Sequence, residues 1–318
     1  MNPKFLLPLL LLVCAIGNAH AQDTPSSTPA AGPSATPPET TPTSLPGAES
    51  HVFKTVGDTN LLLFVMKPKS WQATDKRPCL VSFFGGGWVS GTPKASIGWA
   101  KWGADRGMVG VAPDYRTRHR FNGTPEDCVA DGRAAVRWVQ DHAADLGIDP
   151  AKIVSLGASA GGHVAAWTAI PDPVSPASAS DPIPSPPPAA LVLLWPVTDT
   201  GTSGYGGPKR FGNDAARANA LSVTARMPAK MPPTIVFHGT ADTTVHFQNS
   251  QDFVAKMIAN GNRCELFPLE GMMHSPTSTK FGEKGKQARA KVESETEKFL
   301  ASLGFVKPGA ADTASPSP

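Results

Sequence analysis

One serine stands in a setting that suits nucleophilic catalysis. Ser159 is the centre of the segment GASAG at residues 157–161, between a β-branched run at 152–156 and a helix-like stretch at 162–167. A strand, a G-x-S-x-G turn and a helix in that order are typical of a nucleophile elbow. The turn is tight, so only small residues fit two positions before and after the serine, and both are glycine here. A small-residue turn without chemistry is the alternative interpretation.

A serine hydroxyl is a poor nucleophile near neutral pH, so it needs a general base and a carboxylate that orients this base. In a parallel sheet such groups gather at the carboxyl ends of the strands. Asp242 follows the apolar run 234–237, and His274 follows the run 265–267. The chain order Ser, Asp, His fits a nucleophile elbow. We therefore predict that Ser159, His274 and Asp242 form a catalytic triad. The alternative is that Asp242 only caps a loop and that His274 is an incidental surface histidine.

The segment FFGGGW at 83–88 offers backbone amides for an oxyanion. It follows a predicted strand, and donors that are fixed before charge develops are what ester chemistry requires. We predict an oxyanion hole made by the N–H groups of Gly86, Gly87 and Ala160. A phosphate-binding loop is the weaker interpretation, because the lysine and hydroxyl residue of a P-loop and the G-x-G-x-x-G spacing are missing.

Three potential metal ligands lie four residues apart: His238, Asp242 and His246. They follow a strand in a predicted loop instead of sharing one face of a helix, and the chain has no H-E-x-x-H motif. We predict no metal site here.

Strands and helices alternate along the middle of the chain. Apolar or β-branched runs predict strands at 52–55, 61–66, 79–84, 109–112, 152–156, 191–195, 234–237 and 265–267. Helices are predicted at 125–146, where Thr124 is the N-cap and an acid closes a capping box, and at 162–167, 248–259 and 285–303. Near-continuous apolar strands favour an α/β fold with a mostly parallel central sheet and helices on both faces.

Two stretches interrupt the alternation. Residues 171–188 form a Pro/Ser-rich loop, and residues 198–233 form an irregular insertion after the strand at 191–195. Long irregular segments in compact domains are usually functional. We expect the insertion to edge the active site as a small lid.

Taken together, these features resemble the α/β-hydrolase superfamily, and within it the esterases with an HGGGW-type oxyanion loop, which include hormone-sensitive-lipase-like and carbohydrate acetyl esterases. The resemblance covers about residues 79–276 and rests on the segments 85–91, 114–116, 131–139, 147–150, 157–163, 238–242 and 271–274. It implies hydrolysis of carboxylic esters through a serine acyl-enzyme, without a metal or an organic cofactor. It also implies that segment 114–116 braces the site, which we interpret as structural packing.

Two aromatic residues flank the glycines. Phe84 stands where the resembling esterases usually have a histidine that props the oxyanion loop by hydrogen bonds. We expect Phe84 to support the loop by packing alone. Trp88 is predicted to line the acyl or alcohol pocket, with a place in the core as the alternative.

The chain begins like an exported protein. A short basic start, an apolar run at 5–17 and the small-x-small sequence Ala-His-Ala predict a signal peptide at 1–21, and this run is too short for a stable membrane span. Residues 22–48 and 307–318 lack a hydrophobic period, so we predict a disordered leader and tail around one domain at 49–306. We expect a secreted or periplasmic protein.

Cysteine and charge usage narrow the possibilities further. Without the signal peptide three cysteines remain, Cys79, Cys128 and Cys264, and we favour buried free thiols over one disulfide among them.

The net charge is +3 and no Lys/Arg block recurs, so nothing indicates nucleic-acid binding.

The favoured hypothesis is a secreted serine esterase for small-molecule or polysaccharide esters with short acyl groups, acetylated carbohydrate among them. A formamidase or a peptidase would use the same triad. A catalytically silent α/β-hydrolase domain that only binds is the alternative from a different class, and Phe84 is its single support.

Overall fold

The computed structural model describes residues 40–173, 182–201, 204–307 and 309. Its strands are Glu49–Val56 (β1), Thr59–Met66 (β2), Arg77–Phe83 (β3), Val109–Pro113 (β4), Ile148–Ala158 (β5), Ala190–Leu194 (β6), Thr234–Gly239 (β7) and Cys264–Leu269 (β8). They form one eight-stranded sheet in the order β1-β2-β4-β3-β5-β6-β7-β8. The strands from β4 to β8 in that order pair in parallel, whereas β2 pairs antiparallel with both β1 and β4.

Two apolar layers cover the sheet because successive side chains of a strand point to opposite faces. In β6 all five residues are buried. Leu191 and Leu193 enter the core on one face, while Val192 and Leu194 enter the core on the other. Burial on both faces explains why these strands read as unbroken apolar runs.

The described residues form eight α-helices, seven between strands and one after the last strand: Ile97–Ala104 (α1), Arg118–Phe121 (α2), Pro125–Asp141 (α3), Ala160–Trp167 (α4), Ala215–Ala220 (α5), Val223–Arg226 (α6), Phe247–Ala259 (α7) and Gly282–Ser302 (α8). Side chains of α3, α4 and α7 join one core, and those of α1 and α8 join the other. The predicted fold class, a mostly parallel sheet with helices on both faces, is confirmed.

All eight predicted strands are present, with bounds that differ by a few residues. The predicted capping box is also present: the Thr124 hydroxyl accepts from the Asp127 amide, and the Asp127 carboxylate accepts from the Thr124 amide. Helix α3 ends at Asp141 instead of 146, and Ala143 and Leu146 from the end of the predicted helix are buried in the turns that follow. The α1 helix was not predicted.

The ordered domain begins earlier than residue 49. Leu45, in the segment predicted as leader, is buried, and Thr41 accepts a hydrogen bond from Arg120. The rest of the predicted leader, the predicted signal peptide and nearly all of the predicted tail lie outside the described residues. Within the described ranges no helix has the length and apolarity needed to cross a membrane.

The three cysteines predicted as thiols are all unpaired. Cys79 and Cys128 are buried, and Cys264 is partly buried. Burial raises the pKa of Cys264 to about 12 and raises the pKa of the other two thiols as well. The prediction of free thiols is therefore confirmed.

The close packing of α1 on the sheet requires a glycine at position 110, and this requirement can be tested. A Cβ at Gly110, in β4, would collide with the carbonyl oxygen of Ala100 in α1, whereas a Cβ at the exposed Gly98, also in α1, meets nothing within 4 Å. Gly110→Ala should lower the free energy of unfolding by about 1–3 kcal/mol in urea titration. Gly98→Ala is the matched control and should be neutral or stabilising by up to about 1 kcal/mol. Equal stabilities of the two variants would contradict this packing.

Candidate active site

Ser159 occupies the sharp turn between β5 and α4. Its backbone has φ 55° and ψ −122°, a conformation that side chains rarely adopt and that surrounding contacts must enforce. A Cβ at Gly157 would collide with the carbonyl oxygen of Gly161, and a Cβ at Gly161 would collide with those of Phe83 and Phe84. The small-residue requirement thus has a physical cause, namely the close approach of α4 to the ends of β5 and β3.

The structure brings Ser159, His274 and Asp242 together. His274 Nε2 lies 3.0 Å from Ser159 Oγ, and His274 Nδ1 lies 2.6 Å from Asp242 Oδ2. The three residues follow β5, β8 and β7 and meet at the carboxyl ends of these parallel strands. With Nδ1 donating to the carboxylate, Nε2 is free to accept the serine proton.

Four donors surround the Asp242 carboxylate. Oδ1 accepts from the amides of Thr244 and Val245 at 2.8 and 3.0 Å, and Oδ2 lies close to His274 and His238. Burial alone would raise the pKa of Asp242, but the bonds from His238, His274 and the Val245 amide outweigh burial and hold this pKa far below its ordinary range. The carboxylate therefore stays ionised beside His274.

His238 is a site residue that the sequence interpretation missed. It is buried at the end of β7, with Nε2 at 2.8 Å from the Val245 carbonyl oxygen and 3.2 Å from Asp242 Oδ2. Because that carbonyl can only accept, Nε2 carries the proton, and Nδ1 accepts from the Ser250 hydroxyl at 2.7 Å. Its position four residues before Asp242 was the available signal, but the spacing suggested a metal ligand. In the described part of the chain no three His, Cys, Asp or Glu side chains converge as a metal ion would need.

The glycine loop after β3 faces Ser159 across a cleft. Gly86 and Gly87 have φ of 126° and 62°, and the Gly86 carbonyl accepts from the amides of Val89 and Ser90. Ala160 is the first residue of α4, so its amide has no acceptor within the helix and lies at the positive end of the helix dipole. These three backbone positions are where the sequence predicts an oxyanion hole.

The Phe84 side chain supports the loop by packing, as expected, and a hydrogen bond to its backbone carbonyl adds to this support. Its ring stacks on Tyr115 with centroids 3.9 Å apart, and the Tyr115 hydroxyl donates to its backbone carbonyl. Tyr115 is fixed by its neighbours, since Asp114 binds the guanidinium of Arg120, which also lies over the Phe84 ring. Segment 114–116 thus braces the loop, as predicted.

Trp88 does not line the cleft, contrary to the prediction. It is 1% exposed and packs between His163 and the side chains of Tyr205 and Phe211 from the insertion. The positive φ of Trp88, 62°, turns the chain after the glycines and sends the indole into the core. Trp88 therefore anchors the insertion to the glycine loop.

The cleft has a volume of about 530 Å³ and carries several hydroxyl groups. Its lining residues are Gly85, Gly86, Gly87, Ser90, Ala95, Ala158, Ser159, Trp195, Tyr205, Thr244, His274 and Ser275. Tyr205 belongs to the insertion, and Arg210 from the same insertion donates to the Gly87 carbonyl at 3.2 Å. The insertion therefore edges the site, as predicted.

This chain is similar to several known esterases. The model of a family described as BD-FAE matches residues 65–175. The apo form of Thermogutta terrifontis esterase 2 is 41% identical and superposes with a TM-score of 0.76 over 83% of this chain and 98% of that chain. The chain belongs to the α/β-hydrolase esterases. This esterase is also 23% identical to a probable isoprenylcysteine alpha-carbonyl methylesterase of Arabidopsis thaliana over 64% of its length, and 36% identical to carboxylesterase NlhH of Mycobacterium tuberculosis over 29%.

The lengths of these proteins differ from that of this esterase. It spans about half the length of the curated plant relatives that it matches, 46% and 52% of the first two. It spans almost all of the Thermogutta enzyme. Membership of the family therefore rests on the likeness to the solved bacterial esterase.

The support that Tyr115 gives to the glycine loop can be tested with Tyr115→Phe. Removing the hydroxyl leaves the buried Phe84 carbonyl without this donor, which should lower the free energy of unfolding by about 1–3 kcal/mol. The looser loop should lower kcat for a nitrophenyl ester by about an order of magnitude. Phe84→Leu, which keeps the hydroxyl bond and removes the ring stacking, should retain more kcat than Tyr115→Phe. Wild-type stability and kcat in Tyr115→Phe would contradict this role.

Proposed function

We propose that this esterase hydrolyses short-acyl carboxylic esters with Ser159 as the nucleophile, His274 as the general base and Asp242 as the carboxylate that orients His274. The proposal rests on two hydrogen bonds in the cleft that the glycine loop lines. One joins Ser159 Oγ to His274 Nε2 at 3.0 Å, and the other joins His274 Nδ1 to Asp242 Oδ2 at 2.6 Å. We place the chain with the esterases of the HGGGW-type loop, with Phe84 in the position of the histidine.

Acylation begins when Ser159 Oγ attacks the ester carbonyl carbon and its proton passes to His274 Nε2. Asp242 stabilises the imidazolium through the bond at Nδ1. The carbonyl oxygen becomes an oxyanion, for which the amides of Gly86, Gly87 and Ala160 are the donors. Collapse of this intermediate breaks the bond to the alcohol oxygen, which takes the proton from His274 and leaves.

Deacylation repeats the sequence with water. His274 takes a proton from the water, whose oxygen attacks the acyl carbon, and the same three amides hold the second oxyanion. The carboxylic acid leaves as Ser159 recovers its proton. His274 remains accessible to water from the cleft, with 18% of its side chain exposed, whereas the Asp242 side chain is fully buried.

Short acyl groups and polar alcohols are the substrates that the cleft supports best. Its lining includes the hydroxyls of Ser90, Tyr205, Thr244 and Ser275, which suit hydrogen bonding to a hydroxylated alcohol such as a sugar. Two solved structures of the Thermogutta enzyme are described as propionate-bound and butyrate-bound. Acetylated carbohydrate outside the cytoplasm is therefore our proposed substrate class, and the predicted signal peptide at 1–21 supports export.

Substitution of the nucleophile is the first test. Ser159→Ala should lower kcat on 4-nitrophenyl acetate by about four orders of magnitude or more, because the three groups act as a unit. A fluorophosphonate probe should label the wild type at Ser159 and leave this variant unlabelled. Ser294→Ala, on the exposed side of α8, is the matched control and should behave like the wild type. An unlabelled and inactive wild type would instead support a silent binding domain.

Acyl-chain length tests the substrate class. We expect kcat/KM on 4-nitrophenyl esters to be highest between acetate and butyrate and to fall for long chains, and acetylated xylan should release acetate. A lipase-like enzyme would give the opposite trend. Rates that rise up to the dodecanoate, without acetate from the polymer, would overturn the short-acyl proposal.

A further inference from the structure

Three arginines of the insertion make different contacts. Arg217 and Arg226 each pair with a carboxylate, that of Glu126 at 2.9 Å and that of Asp172 at 2.5 Å. Arg210 is also exposed, yet among the described residues it has no carboxylate partner. Its guanidinium donates to the Gly87 carbonyl at 3.2 Å and to the Tyr205 hydroxyl at 3.0 Å. The unpaired guanidinium is the one nearest the cleft.

The position of Arg210 is fixed by these contacts. Gly87 and Tyr205 both line the cleft, and the Arg210 guanidinium also lies over the Tyr205 ring at 4.8 Å. A guanidinium carries five N–H donors, and these two neutral acceptors leave others for a ligand. Its planar fork matches a carboxylate in geometry as well as in charge.

The nearby carboxylates of the insertion accept from neutral donors and not from Arg210. Asp199 accepts from the Gly201 amide and the Ser222 hydroxyl, and Asp214 caps α5. The neighbouring Lys209 is exposed and adds a second positive charge. Among the described residues neither Arg210 nor Lys209 forms an ion pair with a carboxylate, so both charges remain available to an anion at the rim where Arg210 stands.

We propose that Arg210 binds a carboxylate of the substrate, so that the preferred esters are anionic. This inference rests on the proposed function, because it assigns a substrate class to the same cleft. The Gly87 carbonyl joins Arg210 to the residue whose amide serves the oxyanion, which puts the substrate carboxylate within about 10 Å of the scissile carbonyl. That span suits a hemi-ester of a short diacid, or an ester of an acidic alcohol such as a uronic-acid saccharide.

Two pairs of isosteric esters test the proposal. The first pair is 4-nitrophenyl hemiglutarate and its neutral carboxamide analogue, with the acid on the acyl side. The second pair is 3-acetoxybenzoate and 3-acetoxybenzamide, with the acid on the alcohol side. Wild type, Arg210→Gln and Arg210→Lys are compared, with Arg226→Gln as the control that removes an insertion arginine remote from Gly87.

We expect Arg210→Gln to lower kcat/KM for the carboxylate member of at least one pair by about tenfold, mainly through KM, and to leave its carboxamide partner within about threefold. Arg210→Lys should recover part of the loss, and 0.5 M NaCl should reduce the wild-type preference for the anion. Arg226→Gln should match the wild type on all four esters.

Equal losses for both members of each pair would show that Arg210 only clamps the loop and would overturn the inference. Unchanged kcat/KM in Arg210→Gln would overturn it as well. These results differ from failure of the proposed function, in which the wild type would hydrolyse none of the four esters and the inference would fall with it.

Discussion

The crowding where β3, β5 and α4 meet determines the rest of the site. No side chain fits at Gly157 or Gly161, because the carbonyls of Gly161, Phe83 and Phe84 occupy the space. This approach forces Ser159 into its unusual backbone conformation and sets its hydroxyl beside the glycine loop that follows β3. The proposed nucleophile and the proposed oxyanion donors are therefore positioned by one backbone contact instead of by two independent loops.

Hydrogen bonds hold the glycine loop and His274 in place beside Ser159. Tyr115 donates to the carbonyl of Phe84, one of the two carbonyls that press on Gly161. On the opposite side of Ser159, Asp242 holds His274 while it accepts further bonds from His238 and from the turn after β7. The glycine loop and His274 are thus each supported by a buried partner, which limits their motion.

The sequence predicted those parts of the fold whose signals are local. Apolar runs indicated all eight strands, and the Thr124 capping box indicated the start of α3. Chain order and the parallel sheet were enough to expect Ser159, Asp242 and His274 at one edge. The α1 helix was missed because its segment, rich in Gly and Trp, carries no clear apolar period.

What could not be predicted depends on contacts between distant residues. The stacking of Phe84 on Tyr115 joins residues at the ends of two neighbouring strands, and no pattern in either segment predicts this contact. Trp88 could have faced the cleft or the core, and the positive φ of its own backbone decides for the core. His238 makes one hydrogen bond to the Val245 carbonyl and one to the Ser250 hydroxyl. Both form only once the turn to Val245 and helix α7 are in place.

The central claim is that one backbone arrangement joins the Ser159 hydroxyl to the amides of the oxyanion hole. A crystal structure of the wild type after reaction with a fluorophosphonate tests it most directly, because the phosphoryl oxygen stands where the oxyanion forms. The account predicts a covalent bond from Ser159 Oγ to phosphorus, with that oxygen within hydrogen-bond distance of the amides of Gly86, Gly87 and Ala160. Phosphorus on another residue, or an oxygen turned away from all three amides, would contradict it.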